Sequence, residues 1–279
     1  MQCGLLYSNK TFDQFLLKNI PNEGTKTDRL HKYSFWEFIK RFSMLNFNPI
    51  STGYTLRRYY VDEFQLRYIS TLTPGTRILD LGGNKINKRG RFDIECYELR
   101  VIYANLVTAK HPDVQADAAY VPFKDGSFEA VICTELLEHV QYPETVLHEV
   151  SRVLIPGGKI FITVPFMYRI HGDPYDFGRY TDQYWQCTLK ATGFQKIEIE
   201  RQGLFYSVLA DYAKQYASEV NSYWPFGGLI RLFAQKFPIW ALRMEQKAGV
   251  RGHSFFRSFT TGFGIIAVKG GDRREILCS

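Results

Sequence analysis

Apolar residues along the middle of the chain recur in two rhythms, short β-branched or aliphatic runs and longer stretches with a period near 3.6. The short runs predict strands at Arg77–Gly82, Leu99–Asn105, Val114–Asp117, Phe128–Thr134, Lys159–Pro165 and Gln195–Gln202. Between the fourth and fifth, Pro143 suits the first turn of a helix. Val146, Leu147, Val150, Val153 and Leu154 then share one face, and Pro156-Gly157-Gly158 is expected to end it. Strands alternating with helices point to an α/β fold, a parallel sheet covered by helices.

The flanks read differently. Residues 1–70 hold Phe35, Trp36, Phe38, Ile39 and Phe42 at helical spacing, which predicts a helical cap ahead of a core at 71–203. Residues 204–258 predict a helical insertion with two apolar stripes. One carries Phe205, Val208, Leu209, Tyr212 and Tyr216. The other carries Phe226, Leu229, Ile230, Phe233, Phe237, Trp240 and Met244, bent near Pro238. Residues 259–279 close the chain with a strand at Gly262–Lys269 and a tail.

Charge sharpens this division. The formal net charge of +7 splits into +4 for 1–70, −3 for 71–200 and +6 for 201–279. Basic flanks suit an anionic partner such as a phosphate-bearing substrate or the surface of an anionic membrane, as well as an ordinary solvated surface. The five cysteines are scattered without a C-x-x-C pair, so neither a disulfide framework nor a zinc knuckle is expected, and a reduced, cytoplasmic compartment fits. Neither a secretory signal nor a run of about 18 apolar residues is seen, which leaves contact with the inner face of a membrane as peripheral at most.

The strongest local signal is Arg77-Ile78-Leu79-Asp80-Leu81-Gly82-Gly83-Asn84, an apolar strand running through an acid into paired glycines. Small residues there let the backbone approach a ligand at the carboxyl edge of the sheet. Asp117-Ala118, Val121-Pro122-Phe123, the run from Val131 to Val140 that includes Thr134-Glu135 and Glu138-His139, Arg152–Lys159 and Gly193-Phe194 follow in order. Over roughly residues 75–200 this succession resembles the class I methyltransferases of the large type 11 family.

The resemblance implies a Rossmann-like methyltransferase fold, a seven-stranded, mostly parallel sheet with an antiparallel last strand, and S-adenosylmethionine as cofactor. It implies that Asp80, Gly82 and Gly83 line the methionine and ribose side, that Asp117 and Ala118 meet the adenine, and that Thr134 and Glu135 sit near the sulfonium. Two positions depart from the family pattern. Asn84 interrupts the glycine fingerprint ahead of a basic run, whose Lys85, Lys88, Arg89 or Arg91 would then meet the donor's carboxylate or face the acceptor. Asn105 replaces the acid that takes the ribose hydroxyls; an amide still hydrogen-bonds a diol, without charge assistance.

After the fifth strand comes His171-Gly172-Asp173-Pro174-Tyr175-Asp176-Phe177-Gly178-Arg179-Tyr180-Thr181, a loop leaving the same edge of the sheet. His171 is the candidate base for a hydroxyl acceptor, Asp173 or Asp176 would orient it or bind a sugar diol, and Arg179 or Tyr180 would fix the acceptor. This loop resembles that of methyltransferases of surface-polysaccharide and glycolipid biosynthesis, so a glycan or glycolipid acceptor is expected. A lipophilic acceptor such as a quinone precursor and a catalytically silent scaffold are the alternatives. Glu138-His139 and His148-Glu149 read as a helix start and a helix surface, so no metal is expected. Nucleic acid is an unlikely partner without a recognised binding module. The apolar stripes of 204–258 suit a lid, a homodimer interface or a membrane contact.

Overall fold

The computed structural model describes residues 54–86, 88, 90–172, 174–220 and 227–271, with side chains left aside at 220 and 227–233. These residues belong to one compact unit, Pro49–Ser279. Of the expected N-terminal cap, one helix falls within them; Phe35 to Phe42 lie outside.

That helix, α1 (Leu56–Tyr68), begins where the Thr55 side chain accepts a hydrogen bond from the Arg58 amide at 3.2 Å. The sheet follows with β1 (Arg77–Leu81), β2 (Arg100–Asn105), β3 (Val114–Gln115), β4 (Phe128–Thr134), β5 (Leu154–Pro165), β6 (Phe194–Gln202) and β7 (Gly262–Lys269). Its order is β3-β2-β1-β4-β5-β7-β6, with β7 antiparallel to both neighbours. The parallel pairs set Asp80 beside Tyr103 and Ile132, and Thr134 beside Thr163. The carboxyl ends of β1, β2, β4 and β5 therefore share one edge.

Between β4 and β5, α2 (Pro143–Val153) starts on Pro143 and buries Val146, Leu147, Val150 and Val153 against the sheet. Full burial of such side chains contributes about 1.5–3 kcal/mol each. The helix ends at Leu154 rather than at Pro156-Gly157-Gly158. Leu154 already pairs with Phe128 and Lys159 with Ala130, so the Pro-Gly-Gly segment is an irregularity inside β5. β3 is likewise shorter than expected. Asp117 lies past its end, bridged to Tyr120.

α3 (Asp182–Ala191), capped by the Thr181 side chain, precedes β6 and buries Trp185 and Leu189. Then come α4 (Phe205–Val220), α5 (Gly227–Glu245), α6 (Ala248–Gly252) and α7 (Ser254–Arg257). Pro238 lies inside α5, where it supplies no amide hydrogen to the helix. The apolar stripe expected on α4 is its docking face only in part, at buried Val208. Leu209, Tyr212 and Tyr216 are exposed, whereas Ser207, Ala210, Asp211, Lys214 and Ala217 are buried. The polar groups have partners: Asp211 accepts from the Leu56 and Arg57 amides at 2.6 and 2.8 Å, and Lys214 donates to the Tyr54 carbonyl. Among the described residues no helix is long and apolar enough to cross a membrane.

Candidate active site

The shared edge of the sheet gathers a glycine turn, a buried ion pair and a carboxylate between two imidazoles. At the end of β1 the chain turns through Gly82, at φ +84°, and Gly83. A β-carbon on Gly83 would stand 2.3 Å from both carboxylate oxygens of Asp80, and one on Gly82 would stand 2.8 Å from Leu136. Only glycines let the turn fold over that carboxylate. Burial pushes the Asp80 carboxyl up to about 7, with Lys88 opposing the rise.

Asn105, at the end of β2, donates from Nδ2 to the Gly82 and Gly83 carbonyls at 2.8 and 3.1 Å and accepts the Val107 amide on Oδ1. The expectation of a ribose contact meets a different role, because both amide hydrogens hold the turn. A carboxylate has no hydrogen to give and could not make those two bonds, which accounts for the departure from an acid here. Asn84 follows the turn half-buried. Asp117 accepts the Ala119 amide at 2.9 Å, and Ala118 packs against the main core.

Among the described residues of the basic run, each cation already has a neighbour. Lys85 pairs with Asp113, Lys88 with Asp93 at 2.8 Å and with Glu95, and the Arg91 guanidinium lies over the Tyr54 ring at 4.5 Å. Arg89 lies outside the described residues. The sequence showed the positive charges but not the acids that the β2 region folds back onto them.

At the end of β4, Thr134 accepts from Gln65 of α1 at 3.2 Å. Glu135 adopts φ +51°, a left-handed conformation that is uncommon away from glycine. Its carboxylate is held by Arg57 of α1, whose Nε lies 3.1 Å from Oε2 and whose Nη2 meets Oε1; Nη1 donates to Gln202 at 2.5 Å. Burial raises the Glu135 pKa, but the attraction of Arg57 more than offsets it and the group is held below the ordinary range. Sequence reasoning missed Arg57. Its signal is positional, since it shares the buried face of α1 with Val61 and Phe64.

Three residues further on, in a short 3-10 turn, Glu138 is 1% exposed and neither of its carboxylate oxygens has a hydrogen-bond partner. His139 Nε2 and His171 Nε2 lie 3.7 and 3.8 Å from its Oε1. The two rings meet edge to face with centroids 4.9 Å apart. Gly172, at φ +75°, lets the loop lie against His139, whose ring a β-carbon would meet at 2.8 Å. Burial, reinforced by nearby Glu135, drives the Glu138 carboxyl well up. Burial and then His139 lower the His171 pKa.

Asp176 braces this loop. It accepts the His171 amide at 2.7 Å and two Arg179 nitrogens at 2.5 and 2.8 Å, and Arg179 holds its carboxyl down at about 2. Arg179 also donates to the Gly178 and Arg169 carbonyls. The ring of Tyr180 stacks on Tyr184 at 4.2 Å, against Trp185, and so belongs to the start of α3 rather than to the histidine cluster. Asp173 lies outside the described residues. Of the acceptor-side candidates, then, His171 is brought to the shared edge, and Asp176 with Arg179 secures it.

Comparison with known proteins gives this edge a context. The family described as "Methyltransferase domain" matches residues 91–162, from the loop before β2 into β5. A ubiquinone biosynthesis O-methyltransferase of Paracidovorax citrulli is 29% identical over 119 residues, covering 37% of this chain and 50% of that protein. The chain thus spans about half the length of the curated relatives it matches. Among solved structures, the cyclase SpnF aligns at 18% identity and TM-score 0.49, over 77% of this chain and 81% of the other. Phosphoethanolamine N-methyltransferase 2 of Haemonchus contortus, solved with S-adenosyl-L-methionine, aligns at 17% identity and TM-score 0.47, over 88% and 59%. A sheet of order β3-β2-β1-β4-β5-β7-β6 with one antiparallel strand is a Rossmann-like methyltransferase fold, and from before β2 into β5 the chain is similar to that family.

Proposed function

We propose that the protein methylates a hydroxyl group of a glycan or glycolipid acceptor, using S-adenosylmethionine bound across the Gly82–Gly83 turn. The observation that carries this reading is the placement of that close-approach turn and the Glu138–His139–His171 cluster on one edge of the sheet. The donor supplies an electrophilic methyl on a sulfonium. The glycine turn gives the backbone access a nucleoside and amino-acid ligand needs, and the His171 loop receives the acceptor. As the O–CH3 bond forms, the S–CH3 bond breaks, the sulfonium leaves as a neutral thioether, and the hydroxyl proton passes to the histidine cluster.

A second acceptor class, a lipophilic phenol such as a quinone precursor, is favoured by the name of the Paracidovorax relative and by the apolar side chains Ile170, Tyr175 and Phe177 exposed along the same loop. Exposed Leu209, Tyr212, Tyr216 and Trp240, with basic Arg243, Lys247 and Arg251 nearby in sequence, would suit peripheral contact with an anionic membrane carrying either lipid-linked acceptor. Flotation with anionic vesicles at low salt tests that contact, and a protein left at the bottom of every gradient excludes it.

Calorimetry with S-adenosylhomocysteine should show binding by the wild type and loss of binding in Gly82→Val, where φ +84° and Leu136 leave no place for a branched side chain. Absence of wild-type binding at millimolar ligand would overturn the enzyme reading. Incubation with methyl-labelled donor and either glycan-lipid extracts or catechol-type quinone precursors then assigns the acceptor. Label confined to the phenolic products would replace the glycan by the second class.

A further inference from the structure

Buried polar oxygens are normally hydrogen-bonded, and one without a partner calls for an explanation such as an unfilled ligand position. Glu138 is in that position with both oxygens. Two imidazole Nε2 atoms face its Oε1, too far for hydrogen bonds at 3.7 and 3.8 Å, and the charges of Glu135, Arg57 and Arg179 also act on it. All three donor atoms lie within 4.8 Å of one another.

The other ring nitrogens are engaged. His139 Nδ1 lies 2.5 Å from the Tyr175 carbonyl, and His171 Nδ1 lies 3.3 Å from the Arg169 carbonyl and 3.5 Å from Asp176 Oδ2. A nitrogen beside such acceptors carries the hydrogen, which leaves the Nε2 lone pair directed elsewhere. Arg179 Nη2, 3.2 Å from His171 Nδ1, competes as a donor, but two acceptors face that nitrogen against one donor. An imidazole whose far nitrogen is tied to a carbonyl or carboxylate is the usual outer arrangement of a metal-ligating histidine.

We propose that Glu138, His139 and His171 form a binding site for a divalent transition metal of the zinc type. One carboxylate and two imidazoles suit zinc, iron(II) or cobalt(II) over magnesium or calcium, which prefer all-oxygen shells. A tetrahedral zinc with bonds of about 2.0–2.1 Å sets its ligand atoms roughly 3.3 Å apart, so the 3.7 and 3.8 Å separations need to close by about half an ångström and the imidazole pair, within 4.8 Å, by at most about 1.5 Å. His139 and Glu138 sit on the turn after β4 and His171 on the loop after β5, which the Phe177 amide ties to the Glu138 carbonyl at 2.8 Å; that link gives the closure a short path. Three protein ligands leave coordination positions for water or an acceptor hydroxyl, whose acidity the cation would raise. In that event His171 ligates, and the proton leaves a coordinated hydroxyl for solvent. The inference departs from the expectation that Glu138-His139 serves as a helix start, and it rests on the acceptor reading above only for what the cation would do, not for whether it binds.

The test uses the purified full chain, stripped with chelator and titrated with Zn2+ and, for its visible spectrum, Co2+. We expect one ion per chain bound at micromolar concentration and a Co2+ d–d spectrum of N and O ligands. Glu138→Gln and His171→Ala should each weaken binding by about a hundredfold or more while the far-ultraviolet spectrum and S-adenosylhomocysteine affinity stay put. His171 is half-buried, so its truncation leaves the fold in place if Glu138→Gln does not. No stoichiometric binding below a millimolar, or binding unchanged in both variants, overturns the site. Metal binding without methyl transfer to any acceptor would leave the site standing and fail the function instead.

Discussion

The seats of α2 and α4 are built on opposite principles. α2 lays Val146, Leu147, Val150 and Val153 on the sheet and needs no partner more specific than other apolar atoms. α4 turns Leu209, Tyr212 and Tyr216 outward and buries Ser207, Asp211 and Lys214 against the first turn of α1 and against Glu245, which accepts both the amide and the hydroxyl of Ser207. Arg57, with Glu135 and Gln202, belongs to that second seat. Apolar burial tolerates any neighbour of fitting volume, whereas a polar seat works only when every donor meets its acceptor. The second arrangement includes Glu135, three positions before Glu138, so positional precision is concentrated beside the candidate site.

The comparison breaks most sharply at Arg57. Arg57→Met should cost about 3–5 kcal/mol in urea unfolding, because it leaves Glu135 buried without its counter-charge. Adding Glu135→Gln should recover a good part of that loss, since the uncompensated charge is then gone. In the α2 seat, Leu147→Ala should cost about 2–5 kcal/mol through its cavity, and adding Val150→Ala should deepen the loss instead. If the Arg57–Glu135 pair behaves additively, the polar seat is no more coupled than the apolar one.

This contrast also explains what the sequence disclosed. The seven strands, α2 and the glycine turn were legible because their information is local: β-branched runs, a proline at a helix start, an acid before paired glycines. β5 extends back to Leu154 because tertiary pairing with Phe128 overrides the Pro-Gly-Gly signal. α4 was misread at Leu209, Tyr212 and Tyr216, though not at buried Val208, because periodicity reports where apolar residues lie, and the rest of the buried face is set by hydrogen bonds to Leu56 and Arg57, more than 150 positions away in sequence. A separation of 78 positions likewise hid Arg57 behind Glu135. His171 was singled out from its loop, but its companions Glu138 and His139 were assigned to a helix start, because the strand order that joins the β4 and β5 ends is not a local property.

A smaller effect should appear with pH. Burial raises the Asp211 carboxyl to about 6, opposed by the Arg57 and Leu56 amides. An acid with a higher pKa in the folded state binds its proton more tightly there than when unfolded, so the folded protein holds more protons between about pH 4 and 6. Stability contributed by protonated Asp211 is therefore complete below about pH 4 and is lost as pH rises through about 6. Asp211→Asn should flatten that slope relative to wild type in denaturant titrations from pH 4 to 7. An identical slope in the variant assigns the pH dependence to other groups.

The smallest expected effect tests the exposed face of α4 itself. Leu209, Tyr212 and Tyr216 are 43%, 42% and 51% exposed, so little apolar area leaves water when this unit folds around them. Leu209→Ser and Tyr212→Ser should each change unfolding free energy by no more than about 0.5 kcal/mol, as for surface positions away from a specific contact. A loss of about 2 kcal/mol would mean that something covers this face in solution. Its size should then depend on protein concentration if the cover is a second copy of the chain, and not if it comes from the same chain. Either outcome would turn the outward stripe from a solvated surface into a third kind of seat, apolar like that of α2 but filled from outside the described unit.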